Sequence, residues 1–169
     1  EPLPKLLDYL DEEDLVRVEG TAVFLTSPLH DESPPPILLH HLRCNRALHE
    51  HVMLLTVYTE DVPRVPAAQR LEVEGLECGF WRVRVRYGFM QSPNVPVALR
   101  ACERYGLDVD LDATTFYVGQ LTLIPAEKPA MMLWREKLFA FMTRNSARPP
   151  QFYKIPPEQV VELGIQVEL

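Results

Sequence analysis

The chain has 169 residues and a mass of 19.4 kDa, a length that suits one domain with a short arm. Apolar residues make up 47% and charged residues 24%, the balance of a globular chain rather than a disordered one. A net charge of −7 argues against non-specific binding to nucleic acid or anionic lipid, so no nucleic-acid partner is expected.

The longest stretch free of Lys, Arg, Asp and Glu is residues 113–126, and it contains Thr, Gln and Gly. A membrane-spanning helix needs roughly 18 or more consecutive apolar residues, so none is expected. The first residues, EPLPKLLDYLDEED, lack a basic region followed by an apolar run and do not read as a secretory signal. Cys44, Cys78 and Cys102 are an odd number without a CxxC pair. That argues against a disulfide framework or a structural zinc site, and a reducing cytosol is the simplest reading. Sixteen prolines against seven glycines cluster at 34–36, 63/66, 93/96, 149–150 and 156–157, where they mark joints between elements.

In chain order, residues 4–16 read as a short amphipathic helix, with Leu6, Leu7, Leu10 and Leu15 on its apolar side. Residues 1–16 thus form an arm, and 17–169 a single domain. GTAVFLT (20–26) is an apolar run of strand formers. A loop then ends in three prolines, of which Pro36 suits the first turn of a helix over 37–48. VMLLTVY (52–58) is a second buried strand, which completes a βαβ unit with a right-handed crossover. RLEVEGLE (70–77) and FWRVRVRYGF (80–89) alternate strictly and predict a hairpin. A helix over 95–105 follows, capped by Asn94 and stopped by Gly106. Residues 114–124 read as a strand. Residues 130–144 read as a helix with Met131, Trp134, Leu138, Phe141 and Met142 on one stripe, and 159–168 as a terminal strand. The fold class is α/β: one domain with a mixed sheet (βαβ unit plus hairpin) packed by about four helices.

Chemistry is sparse. No GxSxG, Walker-type phosphate loop, GxGxxG or HExxH occurs, so neither catalytic residues nor a cofactor are expected, and the chain does not read as an enzyme. Five histidines stand at 30, 40, 41, 49 and 51. His40 and Cys44 are four apart on a helix, the start of a metal site, but two ligands make no site. These histidines read as surface residues, with His49 and His51 at a strand entrance where a proton could be sensed.

The sharpest feature is Arg82, Arg84 and Arg86 at period two. On a strand they project from one face about 6.6–6.8 Å apart, away from Trp81, Val83 and Val85. They and Tyr87, which falls on the Trp81 face together with Phe89, are the compact candidates for binding an anion or an acidic partner. Glu72 and Glu74 alternate on the preceding strand and can pair with them across the hairpin, which is the favoured reading.

Several longer runs carry a resemblance. RVEGTAVFLTS (17–27), LLHHLRCNRALHEHVMLLTVYTEDVPRV (38–65), RYGFMQSPNVPVAL (86–99), LTLIP (121–125), WREKLFAFMTRNS (134–146) and IPPEQVVELGIQVEL (155–169) resemble, in order, the Kup family of potassium uptake permeases. The segments match the hydrophilic C-terminal domain that follows about twelve membrane helices in that family. PLPKLLDYL (2–10) resembles the arm that joins the two. Glu19 departs from an expected proline, and Cys44 and Cys78 look idiosyncratic.

The resemblance implies a cytosolic domain at the inner face of a bacterial cell membrane, cut from a low-affinity potassium transporter that couples potassium to protons. It implies no catalytic residues. The partners it implies are the protein's own membrane domain and a second copy, as a homodimer. Two jobs stay open: an assembly and regulatory module, or a receptor for a small ligand such as a cyclic dinucleotide or nucleotide. A free-standing enzyme is a third, distant option, because no nucleophile–base pair is visible.

Overall fold

The computed structural model describes residues 15–28, 33–124 and 153–168. The predicted helices over 4–16 and 130–144, with Trp134, therefore fall outside the described residues, apart from Leu15 and Val16. Val16 opens a strand.

The described residues form nine regular elements. They are β1 (Val16–Thr26), α1 (Pro36–Asn45), β2 (Ala47–Glu60), α2 (Ala67–Arg70), β3 (Leu71–Gly75), β4 (Phe80–Gly88), α3 (Val95–Ala101), β5 (Thr114–Ile124) and β6 (Val160–Glu168). Single 3-10 turns stand at Cys102–Tyr105 and Pro157–Gln159. The six strands form one mixed sheet in the order β3-β4-β2-β1-β5-β6. Only β3 runs antiparallel, paired to β4 as the predicted hairpin. All other pairs are parallel.

The parallel strands, taken in chain order, therefore lie third, second, first, fourth, fifth, the order of a doubly wound sheet. The β1-to-β2 connection steps toward the β3 edge and lays α1 on one face. The β4-to-β5 connection steps the other way and lays α3 on the opposite face. Reversing both direction and face keeps the hand the same, as the right-handed crossover rule requires.

Both faces are consequently covered by apolar residues. Under α3, Val23, Met53, Leu55, Val83, Val85, Leu99 and Phe116 form one core. Under α1, Ala22, Phe24, Val52, Leu54, Phe80 and Tyr117 form the other, with Ile37 and Leu38 of the helix. β1, flanked by strands on both edges, carries Ala22, Val23 and Phe24 fully buried, which explains why its middle is continuously apolar rather than alternating.

Three predicted boundaries shift, each for a local reason. β1 starts at Val16 rather than at residue 20, because Val16–Val18 pair with Ala47–His49 across a bulge at Glu19 and Gly20. Gly20 has φ 106°, and a Cβ there would meet the Ala113 carbonyl oxygen at 2.7 Å, so the bulge needs glycine. α1 ends at Asn45 rather than 48: Arg46 turns left-handed at φ 50° and its N–H closes on the Leu42 carbonyl at 3.0 Å. β2 then begins at Ala47 instead of residue 52, which puts His49 and His51 within the strand. The predicted 95–105 helix is α for one stretch and tightens to 3-10 at Cys102. Its Asn94 cap accepts from the Val97 N–H at 3.1 Å, and Gly106 ends it.

Candidate functional site

The period-two pattern of β4 divides its side chains as predicted. Trp81, Val83, Val85 and Tyr87 face the α3 side, and Arg82, Arg84 and Arg86 the α1 side. The arginine face is largely closed to solvent. In register with β2, Arg82 stands opposite Leu54 and Arg84 opposite Thr56, so the row continues the second core outward rather than escaping it. The side chains of Arg82 and Arg84 are only 12% and 17% exposed, and that of Arg86 35%.

Charges held so far from water require partners, and the neighbouring strands supply them. Glu74 stands opposite Arg82 and Glu72 opposite Arg84 in the antiparallel ladder. Arg82 Nη1 donates to Glu74 Oε2 at 2.8 Å and Arg84 Nη1 to Glu72 Oε1 at 2.9 Å. Arg86 Nη1 donates to Glu72 Oε2 at 3.1 Å, and its Nε lies 3.3 Å from Glu60 Oε1 at the end of β2. The Arg86 guanidinium also lies over the Tyr58 ring, 5.6 Å from its centroid. Three cations thus meet three carboxylates, and the row is locally neutral.

Tyr87 does not join the arginines. It is buried on the opposite face, because odd and even positions of a strand part company. Its hydroxyl donates to the Asn94 carbonyl and accepts from the Asn94 N–H, both at 3.1 Å, while Arg70 covers its ring at 5.4 Å. Tyr87 therefore ties the end of β4 to the start of α3.

The histidines divide too. His40 is exposed, with its Nε2 3.7 Å from Cys44 Sγ; among the described residues no group of three or more His, Cys, Asp or Glu side chains is arranged to hold a metal. His41 is a correction to the surface reading: it is buried. It lies edge-on to Phe24 and Tyr117, with ring centroids 5.6 and 4.7 Å away, and Nδ1 meets the Asn45 amide nitrogen at 2.9 Å. His49 lies edge-on to Tyr117, with ring centroids 6.2 Å apart. Burial lowers the pKa of both imidazoles below the usual histidine value. For His41 a hydrogen bond with the Ala47 backbone opposes that shift, and the nearby His49 adds to it. The signal was present in the sequence: His41 is four residues after Ile37 and three after Leu38, the inward positions of α1.

A doubly wound sheet ordinarily takes its ligand at the carboxyl ends of the strands, where the first connection leads into a helix N-terminus rich in glycine. Here that connection ends in Pro34, Pro35 and Pro36, and α1 has no side-chain cap. Pro34, Pro35 and Pro36 carry no N–H, so the end of this loop and the first helical position offer a phosphate no backbone donor.

The family comparison decides where this domain belongs. Residues 19–169 match the model of the K+ potassium transporter C-terminal domain. The chain belongs to that family. A probable potassium transport system protein Kup of Nitrosomonas eutropha is 65% identical over 155 residues, covering 91% of this chain and 24% of that protein. Proteins described in the same words as Kup 1 in Geobacter sulfurreducens and Kup in Myxococcus xanthus are 57% and 49% identical over 99% of this chain, and 26% and 25% of themselves. The chain spans about a quarter of the length of these curated relatives. No solved structure matches it. Among the described residues of this potassium transporter C-terminal domain, no helix is long and apolar enough to cross a membrane.

Proposed function

We propose that the chain is the cytosolic C-terminal domain of a Kup potassium uptake transporter and works as an assembly and regulatory module rather than as a transporter or an enzyme. It would stand at the cytoplasmic face of the bacterial cell membrane, against its own membrane domain and a second copy. The potassium path, and the coupling of potassium to protons, would lie in the remaining three quarters of the protein. A potassium path needs rings of carbonyls or intramembrane carboxylates, and a doubly wound sheet with both faces packed offers neither.

The observation that carries this reading over the receptor alternative is the closed arginine–glutamate row. An anion receptor needs cationic donors open to its ligand, whereas these three guanidiniums are engaged by Glu60, Glu72 and Glu74. The proline-bearing start of α1 supports the same conclusion for a nucleotide or cyclic dinucleotide at the strand ends.

The test is growth of a bacterial strain that lacks potassium uptake, on limiting potassium. The full-length transporter restores growth and the domain expressed alone does not. Restoration by the domain alone would overturn the assignment.

A further inference from the structure

The joint between α1 and β2 turns on Arg46, left-handed at φ 50°, and the His41 ring holds the residues on both sides of it. Asn45 Nδ2 meets His41 Nδ1 at 2.9 Å, and the same imidazole makes a hydrogen bond with the Ala47 backbone. An amide nitrogen only donates, so His41 Nδ1 accepts and carries no proton. The ring is buried, edge-on to Phe24 of β1 and Tyr117 of β5. His49, two residues beyond Ala47, brings a second imidazole to Tyr117. Its Nδ1 is buried without a hydrogen-bond partner among the described residues.

The same stretch of β2 carries the start of β1. Val16, Arg17 and Val18 pair with Ala47, Leu48 and His49, whereas the pairing of β1 with β5 begins only at Thr21. Before its bulge, β1 therefore has one strand neighbour among the described residues, and that neighbour is the segment at the His41 joint. Arg17 fastens this end further: its guanidinium donates to the His49 carbonyl and to the Cys78 carbonyl, both at 3.2 Å. Val16 and Val18 are 65% and 44% exposed and gain little from burial, so hydrogen bonds to β2 do most of the holding.

We propose that His41 and His49 form a proton-operated latch: when both are neutral they hold the α1–β2 joint and with it the start of β1, and protonation loosens the two together. The inference deepens the regulatory role proposed above and rests on it. A proton on His41 Nδ1 sets a donor against the Asn45 amide nitrogen, so Asn45 must turn its amide over or let go. A proton on His49 Nδ1 leaves a buried N–H without an acceptor, on the residue whose carbonyl the Arg17 guanidinium holds. Once charged, the two imidazoles also repel each other. No negative group faces them to offset this. β1 offers Phe24 and Arg17, β5 Tyr117, β6 Leu163 and the turn before β4 Cys78, while His40, Arg43 and Arg46 around the joint are exposed. Burial lowers the pKa of both imidazoles, with His49 adding to it at His41, and the exposed Glu19 and Glu50 act on neither. The latch is therefore closed above the ordinary histidine value of about 6.5 and opens as pH falls below it.

The test is amide hydrogen exchange on the 169-residue chain and on the full-length transporter in detergent, at about pH 7.5 and about pH 5.5, corrected for the intrinsic pH dependence of exchange. Protection at residues 16–18 and 45–49 should drop at least several-fold at the lower pH, while 52–55 in the middle of β2 keep theirs. His49→Gln, at a half-buried site, should reduce the drop, and His41→Gln combined with it should abolish the drop. Histidine ring NMR of the unmodified chain needs no variant to fold: both imidazoles should take up protons below about pH 6.5, in step with the loss of protection. Equal protection of 16–18 at both pH values overturns the proposal. So does a loss spread evenly over the sheet, which is acid destabilisation without a latch, and so does a drop that the double variant retains. The regulatory role is read separately, from potassium uptake by the full-length transporter in cells whose cytosolic pH is clamped. A drop in protection at 16–18, with the same pH response of uptake in the unmodified protein and in His49→Gln, would support the latch and contradict that role.

Discussion

His40 and His41 are adjacent in the chain and live in opposite surroundings, because a helix turns about 100° between them. His40 meets water; His41 is pressed between Phe24, Tyr117 and Asn45. Burial lowers the pKa of His41 in the folded state below its unfolded value of about 6.5. The unfolded chain then binds more protons, so stability is fully present above that value and is lost as pH falls below it toward the folded pKa. His49, also lowered by burial, acts in the same direction. The melting temperature should therefore fall on acidification below about pH 6.5, and the slope should be shallower in His41→Gln. Equal slopes in thermal melts of the two proteins would show that His41 titrates normally. At Cys102, burial pushes the thiol up to about 11. It should react with a thiol-specific reagent at neutral pH far more slowly than exposed Cys44, as mass spectrometry of the labelled sites would report.

At the scale of elements, β4 was the most legible part of the chain, since strict alternation over FWRVRVRYG assigns every side chain to a face. The pairing of Glu72 and Glu74 with the arginines was legible too, from the same alternation on β3. Their burial was not. Alternation ordinarily marks a strand with one wet face; here β4 lies between β3 and β2, and its polar face adjoins the second core. That changes the expected energetics. An exposed ion pair is worth about 0–1 kcal/mol. Glu72→Ala, however, removes a shared acceptor from Arg84, which is mostly buried, and from Arg86, and should destabilise the domain by about 1–3 kcal/mol. A denaturation midpoint unchanged by Glu72→Ala would mean the row is as solvated as its sequence suggests. A Cβ at Gly88 would lie 2.5 Å from the Val62 oxygen, which sets a second expectation: Gly88→Ala should cost about 1–3 kcal/mol by forcing the 61–65 loop away from β4, again read from the denaturation midpoint. The α1–β2 joint was misplaced from sequence because Arg46, a residue with no special liking for φ above zero, takes the left-handed cap that glycine usually provides.

For the whole molecule, the α/β class and the single mixed sheet followed from the spacing of runs and turns, whereas strand order did not. Nothing in the local pattern of β5 tells it to cross to the far side of β1, because that choice rests on contacts remote in sequence. The anion-binding candidate was legible only as a row of charges, and only the register with β3 and β2 reveals how closely those charges are matched. The family was legible through resemblance rather than chemistry; the surface role proposed for the domain would need no nucleophile, metal cluster or phosphate loop. A direct test of that surface role is the initial rate of potassium uptake by the full-length transporter, compared with the same protein lacking this domain, at equal abundance in the membrane. The account predicts a transporter that still carries potassium but with a rate, or a response to conditions, clearly altered. Uptake identical in rate and response with and without the domain would contradict it.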